Sequence, residues 1–347
     1  MIRVLLVDGC AKQRALLRTV FEREPNFEVV GTARGADDAL ELIEACDPNI
    51  VTVGHQLPTS DGHAITSRIM ETRAVPIVVV AASASAGEVA AGVDAVQAGA
   101  LAVVQSPLGN GGADDAAAVR ELLNTVRVMS EVKVVRRWAK PRDVAPARPT
   151  ASRRAVSPII GIGASTGGPL ALATLLRVLP GDFGAPIVIV QHMATGFIRG
   201  FVDWLAPSSA LPLHIAADGE YLQSGHVYIA PDARQLRVTR ARSVALDAAA
   251  PENGLQPSVS YLFRSLADAY GADAIGVLLT GMGRDGASEL KSMRDAGADT
   301  FAQDQASSIV HGMPGEAVRL GGALHVMPPQ AIAEALVTLV AKKGAKP

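Results

Sequence analysis

A serine, a histidine and an aspartate, each carried by a short motif that follows an apolar run, are the residues of this 347-residue chain best placed to do chemistry. Ser165 lies in Gly163-Ala-Ser-Thr-Gly167, after the apolar run 159–162. His192 follows the run 187–190 in Gln191-His-Met193, and Asp285 follows 274–279 in Gly281-Met-Gly-Arg-Asp-Gly286. A hydroxyl, an imidazole and a carboxylate are the inventory of acyl transfer: a nucleophile, its general base, and the group that holds the base's tautomer. Small neighbours around Ser165 permit the sharp strand-to-helix turn that exposes a nucleophile. The glycines around Met282 leave its backbone N–H free to approach an oxyanion. Each signal also has a plainer reading. The Gly-rich turn could hold an anion at a helix N-terminus, the histidine could be a satisfied core residue, and Asp285 could be a turn residue or helix cap before Gly286. The turn misses the third glycine of a dinucleotide fingerprint and lacks the lysine of a phosphate-binding loop.

What separates these readings is the scaffold. Apolar runs of strand length alternate with helix-period segments along the whole chain, the pattern of α/β domains with parallel sheets. In the first half, strands are expected at 4–7, 27–32, 50–53, 77–80 and 102–104, and helices at 14–24, 36–45, 62–72 and from 116 towards 139. Five strands in roughly 125 residues suit a small doubly wound sheet of the flavodoxin-like kind. The stretch 140–157 is rich in proline and arginine and has no apolar periodicity, the composition of a solvated linker. The second half restarts with a strand at 159–162, a helix at 170–179, a strand at 187–190 and a helix at 197–205. Short hairpin strands are expected within 218–243, then a helix at 258–270, a strand at 274–279 and a helix at 286–296. Boundaries follow at 1–125 for the first domain, 126–157 for a helix end and linker, and 158–347 for the second. In an open parallel sheet the carboxyl ends of the strands share one rim, where ligands bind. Ser165, His192 and Asp285 are all delivered to that rim. Their chain order differs from the Ser…Asp…His order of the α/β-hydrolases, so the constellation belongs to a different sheet.

Bulk composition excludes several classes. Hydrophobic residues make up 49% and charged residues 19% of the chain, which is globular and not disordered. A net charge of -2 offers no whole-protein reason to bind nucleic acid. The two cysteines, Cys10 and Cys46, make neither a disulfide framework nor a metal site and read as free thiols. No apolar stretch reaches the roughly 20 residues of a membrane helix, and the N-terminal run is shorter than the roughly 7–15 of a signal peptide. A cytoplasmic protein without membrane insertion is the expectation.

The motifs of the second half, read together, resemble the chemotaxis-type protein-glutamate methylesterases, the CheB family. The resemblance is carried by Ile160-Gly-Ile-Gly-Ala-Ser-Thr-Gly-Gly-Pro169, Val188-Ile-Val-Gln-His-Met193, Gly225-His-Val-Tyr-Ile-Ala-Pro231 and Pro257-Ser-Val259. It continues through Leu278-Leu-Thr-Gly-Met-Gly-Arg-Asp-Gly286, Ala302-Gln-Asp-Gln-Ala-Ser-Ser308 and Gly312-Met-Pro314. It implies a catalytic triad of Ser165, His192 and Asp285, with the Met282 N–H as oxyanion donor and no cofactor. The implied reaction is hydrolysis of glutamate γ-methyl esters on the cytoplasmic helices of methylated chemoreceptors, with glutamine deamidation as a companion activity. Two rival readings are a non-catalytic receptor-binding adaptor and a hydrolase redirected to another ester or amide.

The first half resembles a two-component receiver domain, with departures. A receiver carries an acidic pair after its first strand, an aspartate after its third, a hydroxyl residue after its fourth and a lysine before a proline after its fifth. Here those places hold Asp8-Gly9, Gly54, Ala81 and Ser106-Pro107. Asp8 is the only acidic residue of the set retained, so no metal site is expected. Gly54 has no side chain to accept a phosphoryl group, and His55 and Asp61 are poor substitutes. The expectation is a pseudo-receiver that acts through packing or contact with other signalling proteins.

Overall fold

The computed structural model describes residues 1–54, 62–82, 91–92, 94–96, 98–109, 112–132, 134 and 158–344. His55, Asp61 and the linker at 140–157 lie outside them. The chain divides into two compact units, Met1–Arg142 and Asp143–Pro347.

The first unit is built on five parallel strands: β1 (Ile2–Val7), β2 (Phe27–Ala33), β3 (Ile50–Gly54), β4 (Ile77–Ala81) and β5 (Ala102–Gln105). Their order, β2-β1-β3-β4-β5, is the doubly wound one anticipated from the sequence. The helices α1 (Ala11–Glu22), α2 (Ala36–Cys46), α3 (Gly62–Thr72) and α4 (Ala113–Met129) bury residues three or four apart, such as Leu17 with Phe21, Ile65 with Ile69, and Leu122 with Val126 and Met129. The helix expected to run towards 139 therefore ends at Met129, its last buried turn, while residues 135–139 lie outside the described residues.

The second unit contains a seven-stranded sheet in the order β14-β13-β12-β6-β7-β9-β8, and every pairing in it is parallel. Its strands are β6 (Ile159–Ala164), β7 (Ile187–Gln191), β8 (Leu213–Ile215), β9 (Val227–Ile229), β12 (Ala274–Leu278), β13 (Asp299–Gln303) and β14 (His325–Met327). The remaining two, β10 (Gln235–Val238) and β11 (Val244–Asp247), form an antiparallel hairpin. The hairpin expected within 218–243 is thus shorter and later. Val227-Tyr-Ile229 is fully buried and joins the parallel sheet instead, because an all-apolar segment buried on both faces has no polar side to give to water.

Alternate strand residues feed two cores. Ile160, Ile162, Ile187, Ile189, Ile275 and Val277 pack under α5 (Gly168–Val178), α6 (Ile198–Leu205) and α10 (Pro329–Gly344). Val188, Val190, Ala274 and Leu278 pack under α7 (Val259–Tyr270), α8 (Ala287–Asp295) and α9 (Met313–Arg319). On this second face β6 presents glycines. A Cβ at Gly161 would lie 2.4 Å from Leu266 Cδ1, and one at Gly163 would lie 2.3 Å from Val259 Cγ1. Helix α7 therefore lies flush on the central strand, with its N-terminus at the rim where the strands end.

Candidate active site

Strand register assembles the site. In the sheet β6 sits between β12 and β7, with Leu278 opposite Gly163 and Ala164 opposite Gln191. The next backbone bonds continue the ladders past the strand ends: Ser165 N–H donates to Thr280 O at 3.0 Å and His192 N–H donates to Ala164 O at 2.9 Å. Ser165, His192 and the loop leading to Asp285 thus leave three adjacent strands side by side. After Ser165 the chain turns through Gly167 at φ +78°, where a Cβ would also meet Ile309 at 2.7 Å, and enters α5.

His192 Nε2 lies 2.9 Å from Asp285 Oδ2, with both side chains largely buried. Asp285 is held on all sides. Its Oδ2 also accepts the Val259 N–H at 2.6 Å, and its Oδ1 accepts the Ser258 hydroxyl at 2.9 Å and the Ser260 N–H at 3.1 Å. Two of those donors are backbone N–H groups at the start of α7, the positive end of a helix and a natural seat for an anion. Ser258 occupies the N-cap position of α7 yet makes no capping bond, because its hydroxyl is spent on Asp285. Burial alone pushes the Asp285 carboxyl up. The bond and charge of His192, with Ser260 and the Val259 N–H, outweigh it and hold the carboxyl at about 2, below its ordinary 3.8.

This carboxylate fixes the imidazole. It accepts a hydrogen bond from the Nε2–H, which leaves the Nδ1 lone pair as the available base. Among the described residues Ser165 Oγ makes no hydrogen bond to that ring, so the structure brings His192 and Asp285 into contact and places Ser165 beside them on the neighbouring strand end.

The loop carrying Met282 is equally constrained. A Cβ at Gly281 would lie 2.7 Å from Ser165 Cβ and 2.4 Å from Met313 Sδ, so the loop passes Ser165 at a distance that only glycine allows. Gly281 O accepts the N–H groups of Gly312 and Met313 at 3.1 and 2.9 Å. Thr280 Oγ1 donates towards Thr166 O at 2.9 Å and accepts the Val310 N–H at 2.9 Å, tying the turn after Ser165 to this loop. Among the described residues the Met282 N–H makes no hydrogen bond, and its side chain is 39% exposed at the rim. The sequence reading did not assign roles to Ser258, Ser260 or Thr280. A serine directly ahead of a helix that must lie on a glycine-bearing strand was the available signal for the first two.

The receiver positions of the first unit look different. A Cβ on Gly54 would lie 1.8 Å from Asp8 Oδ2, so the Asp8 carboxylate fills the space a side chain there would need. Asp8 Oδ1 accepts the Cys10 N–H at 2.7 Å. Ser106, where a receiver has lysine, accepts a hydrogen bond from Gln13. A hard divalent cation such as Mg²⁺ needs several oxygen ligands in near-octahedral array. With glycine at positions 9 and 54, these residues do not fit that ion.

Comparison with known proteins decides the family. The CheB methylesterase model matches residues 160–336, and the response regulator receiver domain model matches residues 4–111. A protein-glutamate methylesterase/protein-glutamine glutaminase of Geobacter metallireducens is 47% identical over 99% of this chain and 100% of its own length. The chain belongs to the CheB methylesterase family. A second relative of the same description, from Nitrosospira multiformis, is also 47% identical, over 99% of this chain and 98% of its own. The crystal structure of the Thermotoga maritima CheB methylesterase catalytic domain is matched over its whole length and 53% of this chain, at 36% identity and a TM-score of 0.51. Family membership accounts for both halves: a receiver-type sheet followed by a methylesterase domain with a parallel sheet.

Proposed function

We propose that this chain hydrolyses glutamate γ-methyl esters on the cytoplasmic helices of chemoreceptors with a triad of Ser165, His192 and Asp285. The observation that carries the reading is the 2.9 Å contact of His192 Nε2 with a fully hydrogen-bonded Asp285, on the strand end next to Ser165.

His192 Nδ1 takes the Ser165 proton as Oγ bonds to the ester carbonyl carbon. The carbonyl oxygen, now an oxyanion, accepts the Met282 N–H. Asp285 stays ionised throughout and stabilises the imidazolium. On collapse the C–OCH₃ bond breaks, and His192 returns the proton to the leaving oxygen as methanol. A water then attacks the acyl-serine with His192 again as base, releasing the glutamate carboxylate and restoring Ser165. With glutamine in place of the ester the same steps release ammonia, which is the deamidation named for the relatives.

For the first unit the reading is a pseudo-receiver covering about residues 1–125, joined through 126–157 to the catalytic domain at 158–347. Regulation proceeds by contact with other signalling proteins and not by aspartyl phosphate. Support comes from Gly54, from the Asp8 carboxylate filling the place of an acceptor side chain, and from Ser106 in place of lysine. Residence in the cytoplasm fits the family's receptor substrates, and among the described residues no helix is long and apolar enough to cross a membrane.

The test is methanol release from methylated receptor membranes by the full-length protein beside Ser165→Ala, without phosphodonor. Loss of a triad nucleophile costs on the order of 10⁴–10⁶ in rate. Release by the wild type alone supports the reading. Release by neither, even after removal of residues 1–140, removes the receptor substrate from consideration.

A further inference from the structure

Three glutamines are buried in the catalytic unit, Gln191, Gln235 and Gln303, at 3%, 0% and 1% exposure. Each spends its amide on the backbone of a different arm of the site. Gln191 Nε2 donates to the carbonyl of Ser165 at 2.8 Å and to the carbonyl of His192 at 2.9 Å, so one nitrogen holds the nucleophile turn and the base turn together. Gln303 Oε1 accepts the Thr280 N–H at 2.8 Å at the root of the Met282 loop, while its Nε2 donates to Ser307 O at 2.9 Å. Gln235 Oε1 accepts the Ser258 N–H at 2.8 Å, and its Nε2 donates to Leu255 O at 3.0 Å, fixing the turn whose hydroxyl and following N–H groups cradle Asp285.

Core packing alone does not account for these residues. An amide buried in place of a methionine of similar length must recover its lost hydration through hydrogen bonds. Gln191 recovers it only in part, since its buried Oε1 has no partner among the described residues. Space for that oxygen exists only because residue 168 is glycine: a Cβ there would lie 2.0 Å from Gln191 Oε1. The amide is thus retained at a cost, with its two donors aimed at the two residues that must exchange a proton.

Taking Ser165 and His192 as nucleophile and base, we infer that Gln191, Gln235 and Gln303 are positioning residues, each locking one arm of the catalytic rim, with Gln191 setting the approach of Ser165 to His192. None of them touches the ester. Their effect is on alignment, where a misplacement of about 1 Å costs on the order of 10² in rate.

The experiment uses the full-length protein and two variants of one contact. Gln191→Met removes the donors at nearly constant volume, and Gly168→Ala leaves the amide intact but displaces it. Methanol release is measured as kcat and KM per active site, with active sites counted by a fluorophosphonate that labels Ser165, and the labelling rate is recorded. The expected result for either variant is a fall of about 10²-fold in kcat and in labelling rate, with KM unchanged. A wild-type kcat and labelling rate per active site in whichever variant folds would overturn the inference and leave these residues a structural role only. Ser165→Ala, run alongside, separates the two levels. Activity surviving in that variant would refute the triad itself, whereas its loss together with a normal Gln191→Met would refute only the positioning role.

Discussion

Replacing Asp285 by asparagine separates what its charge does from what its shape does. The carboxylate has four partners, and an amide can satisfy them in two orientations. With the amide NH₂ at the Oδ2 position, it would face the Val259 N–H and His192 Nε2, two sites that now donate. His192 would then have to carry its proton on Nδ1, losing the base, while the Val259 N–H is left unpaired. With the NH₂ at the Oδ1 position, the Ser258 hydroxyl can rotate to accept, and only the Ser260 N–H is orphaned. Each orientation orphans one N–H, but only the second keeps the tautomer of His192, so asparagine should take it. What remains lost is the charge. A carboxyl held at about 2 against an ordinary 3.8 has its ionised form favoured by about 2.5 kcal/mol. If the imidazolium feels most of that, kcat falls by about 10²-fold. An inverted tautomer would instead cost on the order of 10⁴. Stability falls as well, by that amount plus about 1–3 kcal/mol for the orphaned N–H. At roughly 2–4 °C per kcal/mol this is a drop of roughly 7–22 °C in Tm. The pH sign follows from the depressed carboxyl: its contribution is complete above about 4 and disappears as pH falls through about 2, so the stability gap to the variant narrows over that window. Methanol release and calorimetry at several pH values check both parts. A loss of 10⁴ in kcat, or a stability gap that stays constant down to pH 2, would refute the reasoning.

Three further substitutions probe the neighbours. Gly281→Ala puts a methyl 2.7 Å from Ser165 Cβ and 2.4 Å from Met313 Sδ. It should lower kcat by at least about 10²-fold and lower Tm, and unimpaired methanol release would contradict the close packing. Ser258→Ala removes one donor to Asp285 while the two N–H bonds to its cradle remain. It should cost about 1.5–3 kcal/mol at neutral pH by denaturant unfolding, with the Asp285 carboxyl titrating higher than in the wild type. Gly54→Asp should not create a phosphorylatable receiver, because its Cβ would lie 1.8 Å from the Asp8 carboxylate. Incubation with acetyl phosphate should leave it unlabelled, and the first unit should melt earlier.

Local sequence was sufficient for much of this. The strands of the first unit stand out as uninterrupted apolar runs between turn residues, and each begins and ends within about two residues of its expected limits. Where expectation and structure part, the cause is tertiary. Val227-Tyr-Ile229 is too short to show whether it is a hairpin or a buried parallel strand, and its pairing with β7 and β8 decides. Strands β13 and β14 and helices α9 and α10 were not assigned from the sequence: β13 pairs with β12 and β14 with β13, while α9 packs on the second core and α10 on the first. The support of Asp285 was hidden for a similar reason. Ser258 and Ser260 are 27 and 25 residues away in the chain, and no spacing rule links them to an aspartate.

Ser165 and His192 each sit one position beyond a strand end and Asp285 lies in the loop that follows β12, so the sequence pointed to all three because parallel strands end on one rim. Sharing a rim is weaker than contact, since a seven-stranded sheet is wide enough to keep two strand ends far apart. Sheet order supplies the rest. With β6 between β12 and β7, Ser165 leaves the central strand, His192 leaves one neighbour and the loop to Asp285 leaves the other. That order makes the chain sequence Ser…His…Asp the natural one here: the first strand of the unit lies in the middle, the second is added on one side, and the return across the sheet brings the aspartate to the other side. The glycines at 161 and 163 then let α7 settle on the central strand and bring its N–H groups to that aspartate. The order Ser…His…Asp thus comes from the position of β6 in the sheet, and the support of Asp285 comes from a face of that strand bare enough for a helix to reach the rim.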